Sequence, residues 1–326
     1  MIKALKFISA GVATVLLVIT SGGSAMAEMP KTLSISTSGK GGSWYAVGSR
    51  VIQEVAKANP GLTTQVQTGG GLTNLRKIEA GQADIGMTFA FAAPIAFNGT
   101  SPFKKKHGNL SYLGTLFPGY LQIVTKKTAG ISKFEDLFDK RISSGKIGWG
   151  GELMFRLMLS TYDMDYDKIR KKGGVINHVG TAQATQMMRD GNLDAIISGG
   201  SPPSHPAFSE LSMTTEIDLL AIDKSGLDKI FTAFPSLVET TMPKDPYKGV
   251  AGGFRVIGGA VILVARKSLP NEAGYRIVKA FYEAMPRIKK DMKQLREATA
   301  KDALKGNKGL PVHPGAARYY KEVGLM

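Results

Sequence analysis

The chain has no cysteine among its 326 residues. That excludes disulfides, thiol catalysis, thiolate metal sites and a lipid-modified amino-terminal cysteine. Stability must come from packing, and a released rather than lipid-tethered protein is expected. Histidine is scarce too: His107, His178, His205 and His313 stand far apart without ligand spacing, so neither a metal nor another cofactor is expected. Acid is under-represented, with 26 Asp and Glu against 42 Lys and Arg, for a formal net charge of +16. The basic residues are scattered, and Lys104-Lys105-Lys106 sits in a loop bounded by Gly, Ser and Pro. The excess reads as solvated surface, docking to an acidic partner or attraction of anionic ligands, with no nucleic acid expected. Beyond the amino terminus no run is long and apolar enough to span a bilayer. Common catalytic signatures are missing as well: there is no Gly-x-Ser-x-Gly, His-Glu-x-x-His or Walker loop. Gly39-Lys40-Gly41-Gly42-Ser43-Trp44 matches a dinucleotide fingerprint only in part, because Trp44 holds the third glycine position. No catalytic residue is assigned, and an enzyme is not expected.

What is present begins with an address label. Lys3 and Lys6 precede an uncharged apolar stretch from Phe7 to Thr20, and Ala25-Met26-Ala27 is a small-x-small cleavage site. The stretch is shorter than the roughly 20 residues of a spanning helix. Residues 1–27 are therefore expected to be a signal peptide, with the exported chain beginning near Glu28. The remaining roughly 300 residues suffice for two domains with separate cores.

Two distant stretches share one local design. Gly70 aligns with Gly180, Gly81 with Gly191, and Asp84 with Asp194. Each stretch reads as a glycine turn, a short helix, a helix-ending glycine and an apolar strand opened by aspartate. Around the first, a strand at Leu33–Thr37, a helix at Val47–Ala58 and a strand at Thr63–Thr68 are predicted from hydrophobic spacing. Around the second, a strand at Lys146–Trp149, a helix at Leu153–Tyr162 and a strand at Val175–Val179 repeat the alternation. Leu110–Thr125, interrupted at Pro118-Gly119, reads as a first crossing between lobes, and Ala260–Ala265 as part of the return path. Asn271–Lys289 reads as an amphipathic helix disturbed at Pro286, and Asp291–Lys305 as a basic helix. The pattern is α/β: two lobes of mostly parallel sheet covered by helices, with a cleft between them.

Gly/Ser/Thr-rich loops recur at the predicted strand ends: Ser38–Ser43, Thr68–Gly71, Gly148–Gly151, Gly180-Thr181 and Ser198–Ser201. In open α/β sheets the carboxyl ends of strands face the ligand crevice. Glycines let backbone N–H groups approach a ligand, and a following helix amino terminus favours negative charge. Such loops suit a carboxylate or similar anion without a buried arginine. Trp44, Tyr45, Phe89, Phe91, Tyr120 and Trp149 flank these loops and could wall a mostly apolar pocket.

Three segments carry a family resemblance. Gly41-Gly42-Ser43-Trp44-Tyr45-Ala46-Val47-Gly48, Thr68-Gly69-Gly70-Gly71-Leu72-Thr73-Asn74-Leu75 and the tail Leu310-Pro311-Val312-His313-Pro314-Gly315-Ala316-Ala317-Arg318-Tyr319-Tyr320-Lys321-Glu322-Val323-Gly324 resemble the TAXI family. These are the solute-binding subunits of tripartite ATP-independent periplasmic (TRAP) transporters. The resemblance spans the mature chain in order, and the long tail is its most specific part. It implies a type II periplasmic binding-protein fold, a small organic-acid ligand and handover to a sodium-driven TRAP membrane permease. Matching pocket positions are Thr37, Ser38, Tyr45, Gly70, Gly71, Asn74 and Pro202.

Departures from the family pattern fall at Lys40, at Trp44 in place of a tyrosine, at Gly71, at Thr88-Phe89-Ala90 and at Gly150-Gly151-Glu152-Leu153. They replace hydrogen-bonding groups by aromatic surface, so an organic anion less polar than glutamate is expected. The full expected site adds Gly42, Trp149, Gly199 and Gly200. The expected domains are lobe I at 28–119 and 251–326, and lobe II at 120–250, in a monomer. Alternative readings are the binding protein of an ABC importer or sensor kinase, or a periplasmic enzyme using the cleft.

Overall fold

The structure, a computed structural model, describes residues 29–201, 205–234 and 237–326; the expected signal peptide and Pro202 lie outside them. The first half runs β1 (Thr32–Ser36), α1 (Ser43–Ala58), β2 (Thr63–Gln67), α2 (Gly71–Glu79), β3 (Ile85–Phe89) and α3 (Ala92–Asn98). A long strand, β4 (Leu110–Lys126), leads to β5 (Arg141–Ser143), α4 (Gly150–Thr161), α5 (Tyr166–Lys171), β6 (Val175–Asn177), α6 (Thr181–Arg189) and β7 (Ala195–Ser201). Then come α7 (Pro206–Thr214), β8 (Ile217–Leu219), α8 (Lys224–Ala233) and β9 (Val238–Thr241). A second long strand, β10 (Arg255–Arg266), returns to α9 (Asn271–Asp291) and α10 (Pro314–Glu322).

One sheet links everything in the order β2-β1-β3-β10-β4-β7-β5-β6, with β8 on β4 and β9 on β10. Read from either end the order is the same: a parallel trio, then a long antiparallel strand. The repeated sequence unit is the local cause. Gly81 and Gly191 adopt positive φ (70° and 75°) and end α2 and α6, a conformation that costs glycine no side-chain clash. Asp84 then accepts from the N–H and hydroxyl of Ser34 on β1, both at 2.8 Å. Asp194 accepts from the N–H and guanidinium of Arg141 on β5, at 2.6–2.9 Å. Each aspartate thus registers the start of its strand against the central strand of its trio.

β4 and β10 pair along most of their length, with Gly119 opposite Gly259 and Pro118 opposite Ala260. β4 passes Pro118-Gly119 without a break. A side chain at Gly119 would meet the Gly200 Cα and the Gly259 carbonyl, so three strands converge on a waist of glycines. The tail locks the base of β4. Tyr112 N–H donates to the Pro311 carbonyl at 2.8 Å and His313 N–H to the Tyr112 carbonyl at 2.9 Å. The Tyr320 hydroxyl donates to Leu113, and from α9 the Tyr282 hydroxyl donates to the Thr115 carbonyl at 2.6 Å.

Two expected elements are corrected. Lys146–Trp149 is a turn, with Ile147 69% exposed; the strand is the three-residue β5 just before it, too short to show a period. Asp291–Lys305 holds two 3-10 turns at Lys293–Leu295 and Ala300–Asp302. There the Thr299 side chain accepts from Asp302 N–H and opens a new turn, while α9 continues through Pro286. Among the described residues no helix is long and apolar enough to cross a membrane.

Candidate functional site

A cavity of about 290 Å³ lies between the two halves, at the carboxyl ends of the parallel strands. Every glycine-rich loop singled out in the sequence contributes to its wall. Four helices begin there: α1, α2, α4 and α6, whose caps are Gly42, Gly70, Trp149 and Gly180, and none of these caps has a side-chain hydrogen bond. Of the other helices, α5 and α8 are capped by Asp165 and Asp223 and α7 by His205, while α3 and α9 likewise lack a side-chain cap. The positive dipole ends and the remaining first-turn N–H groups make the cavity attractive to an anion; Tyr45 N–H of α1 and Leu72 N–H of α2 are already taken by the Ser38 hydroxyl and the Gly148 carbonyl. Lys40 and Lys146, both exposed, stand at its edge.

The carboxylate in the wall is Glu152, 1% exposed. Its oxygens accept from Arg156 Nε (2.6 Å) and the Tyr166 hydroxyl (3.0 Å). Burial and the Glu152 charge push the Tyr166 phenol up, so it remains a donor. With its charge balanced by Arg156, Glu152 leaves the cavity positive.

The halves interlock through aromatic rings seated on glycines. Trp149, from the second half, lies against Gly39 and Gly70 of the first, where a methyl at Gly70 would overlap the indole. Phe89 and Trp44, from the first half, lie against Gly150 and Gly200 of the second, where a methyl would overlap the rings. The Trp44 Nε1–H donates to the Gly200 carbonyl at 2.7 Å, and Leu72 N–H to the Gly148 carbonyl at 3.1 Å. The halves are closed on each other.

Of the expected site residues, Ser38, Lys40, Gly42, Trp44, Gly70, Gly71, Phe89, Trp149, Gly150, Gly151, Glu152 and Gly199 line this cavity. Thr37, Tyr45, Asn74, Thr88 and Gly200 do not. The Thr37 hydroxyl donates to the Gln67 carbonyl, and Tyr45 N–H donates to the Ser38 hydroxyl. The Asn74 side chain is spent on four bonds at 2.7–3.0 Å: it accepts from Ser36 Oγ and Gly70 N–H, and donates to the Thr37 and Met87 carbonyls. It shapes the Gly70 loop from behind. Thr88 precedes Phe89 on β3 and so faces the opposite side; it is fully buried and its Oγ1 has no hydrogen-bond partner among the described residues. Gly200 stands behind the aromatic rings.

Sequence reasoning missed Ser144, Lys146, Ala182, Gln183, Ile197 and His205 as wall residues. The Gly70–Gly180 correspondence was a usable signal for Ala182 and Gln183, whereas Lys146 followed a strand too short to recognise. His205 is 3% exposed, and burial pulls its pKa down to about 4. Its Nδ1 accepts from Ala207 N–H at 3.3 Å and caps α7. Among the described residues, no three His, Asp or Glu side chains gather where they could hold a metal ion.

Two trios flanking paired crossing strands, with a cavity between, define the type II periplasmic binding-protein fold. Solved structures agree. A protein from Bordetella bronchiseptica RB50 has a TM-score of 0.55 at 15% identity, covering 91% of this chain and 90% of that one. The alkanesulfonate-binding protein SsuA from Xanthomonas axonopodis pv. citri, bound to MOPS, gives 0.51 at 18%, covering 90% and 85%. A putative L-cystine ABC transporter from Listeria monocytogenes gives 0.51 at 14%, covering 83% and 99%. Residues 35–324 match the NMT1-like family, and the chain belongs to it. TAXI membership specifically does not follow from these matches. The tail that suggested it has a structural occupation here, strapping β4.

Proposed function

We propose that this protein is an exported, periplasmic solute-binding protein that captures a small organic anion between two lobes and releases it unchanged to a membrane permease. The observation that carries this reading is the convergence of four uncapped helix amino termini on one cavity, beside Lys40 and Lys146. The aromatic walls of Trp44, Phe89 and Trp149 suit a ligand whose anionic head carries a short apolar body. The lobes are 28–119 with 251–326, and 120–250, turning about the Gly119–Gly259 pair. Hinge closure would supply affinity and mark the loaded state for the permease.

Delivery to an ABC importer is the better-supported route, since a neighbour of this fold is named as an ABC transporter protein. The TRAP route is favoured by the tail resemblance alone. Uptake by the reconstituted permease separates them: ATP-dependent accumulation supports the first, accumulation driven by a sodium gradient the second.

The binding reading is tested by thermal-shift screening of the purified protein against carboxylates and sulfonates, because a ligand selective for the folded state raises the melting temperature. A hit should be recovered chemically intact. Lys146→Ala should weaken it about five- to tenfold. A screen in which cations or sugars bind and no anion does would defeat this reading.

A further inference from the structure

We propose that His205 binds the ligand, its Nε2–H donating a hydrogen bond to an oxygen of the bound anion. The assignment rests on the solute-binding reading of the cavity and adds a contact that no sequence pattern had suggested.

The case is made by two copies of one capping device. His205-Pro206 opens α7 and His313-Pro314 opens α10. In both, the imidazole is the helix cap, with Nδ1 accepting from the N–H two residues on, Ala207 at 3.3 Å or Gly315 at 3.2 Å. A ring nitrogen that accepts an N–H carries no proton, so a neutral ring holds its proton on Nε2. In His313 that Nε2–H donates to the Leu269 carbonyl at 3.0 Å. In His205 the same Nε2–H has no partner among the described residues, although the side chain is as deeply set and lines the cavity.

Among the described residues Thr88 Oγ1 is the buried side-chain atom left without a partner, so the unpartnered His205 Nε2 keeps accessible surface, and a donor left accessible in a cavity wall is open to an arriving acceptor. What separates the two histidines is the acceptor: His313 Nε2 has the Leu269 carbonyl, whereas His205 has none among the described residues and stands in the cavity wall. A ligand oxygen arriving there would complete the second pairing as Leu269 completes the first. The donor is neutral, so it adds direction to a site whose positive character comes from helix ends and lysines. It also favours an oxygen acceptor over an apolar group at that end of the ligand.

The test uses His205→Asn, with His313→Asn as control. Asparagine is a good helix cap and keeps an oxygen near the Nδ1 position, while removing the Nε2–H. Probes are butanoate, hexanoate, 2-oxoglutarate and propanesulfonate. For whichever binds, His205→Asn should lower affinity about tenfold or more with the unliganded melting temperature nearly unchanged. His313→Asn should lower the melting temperature and leave affinity alone. Nitrogen-15 histidine spectra of the unaltered protein give a readout that needs no variant to fold: His205 should be the Nε2–H tautomer, and its Nε2 resonance should move on binding. Binding with an unmoved Nε2 resonance, wild-type affinity in His205→Asn, or an Nδ1–H tautomer would each overturn the assignment alone. If no probe binds while the tautomer is as expected, it is the solute-binding reading that fails, and this contact falls with it.

Discussion

Asn74 shows how a motif residue can be engaged entirely with the protein's own backbone and side chains. Its amide joins the ends of β1 and β3 to the Gly70 turn by four buried hydrogen bonds. Asn74→Ala would strand several buried polar groups, each costing about 1–3 kcal/mol. The expected outcome is a melting temperature lowered by ten degrees or more, on the order of 3 kcal/mol, visible without ligand. A melting curve matching the unaltered protein would return Asn74 to the contact set. Motif resemblance located Asn74 and Thr88 in the right neighbourhood, but spacing does not say toward which side a side chain points. Glycines fared better, because a glycine at a strand end acts through its backbone and has no side chain to misdirect.

At the level of elements, repeated units were legible because their signal is local: Gly81 and Gly191 stop helices, and Asp84 and Asp194 register strands. β5 was not, since a three-residue strand is shorter than the pattern that would reveal it. The meeting of rings and glycines across the cleft was not legible either, for it pairs residues more than fifty positions apart. It yields a sharp expectation for α4. Gly150 is the first helical residue and its φ is not positive, so Gly150→Ala suits the helix itself. The added methyl overlaps the Phe89 ring across the closed halves, so it opposes closure and would be relieved by opening. The variant should melt at or slightly above the temperature of the unaltered protein, yet bind the ligand at least about tenfold more weakly. Unchanged affinity would mean that the Phe89–Gly150 contact is not part of the ligand-bound state.

For the whole molecule, acid should be the sensitive direction. Burial raises the pKa of Glu54, but Arg287, Lys57 and Arg50 outweigh it and hold the carboxyl below its ordinary range. At Asp194 burial is likewise outweighed, by Arg141; at Glu272 bonds from Arg318 and Arg276 lower the pKa. A lowered carboxylate contributes stability that is complete above the ordinary carboxylate range and lost as pH falls through the folded value. His205 acts in the same sense: with its folded pKa near 4 the unfolded chain takes up the proton first, so stability declines as pH falls from about 6.5. Melting temperature should therefore hold above pH 7, sag gently below about 6.5, and drop steeply below about 4.5. His205→Asn should remove part of the gentle sag and leave the steep limb. A melting temperature that rises on acidification would contradict both assignments.

The strap across β4 also sets an order of events. Tyr112 and Leu113 are made well before the groups that pair with them, Pro311, His313 and Tyr320. β10, the neighbour that separates β3 from β4, also comes late. While the chain is being synthesised, its opening half can assemble three parallel strands but must leave their edge uncovered until the final segment emerges. The closing half, whose strands β5 to β7 lie between β4 and β8, has no such wait. The part begun first is thus finished last, and during that interval an exposed edge makes it dependent on escort or speed.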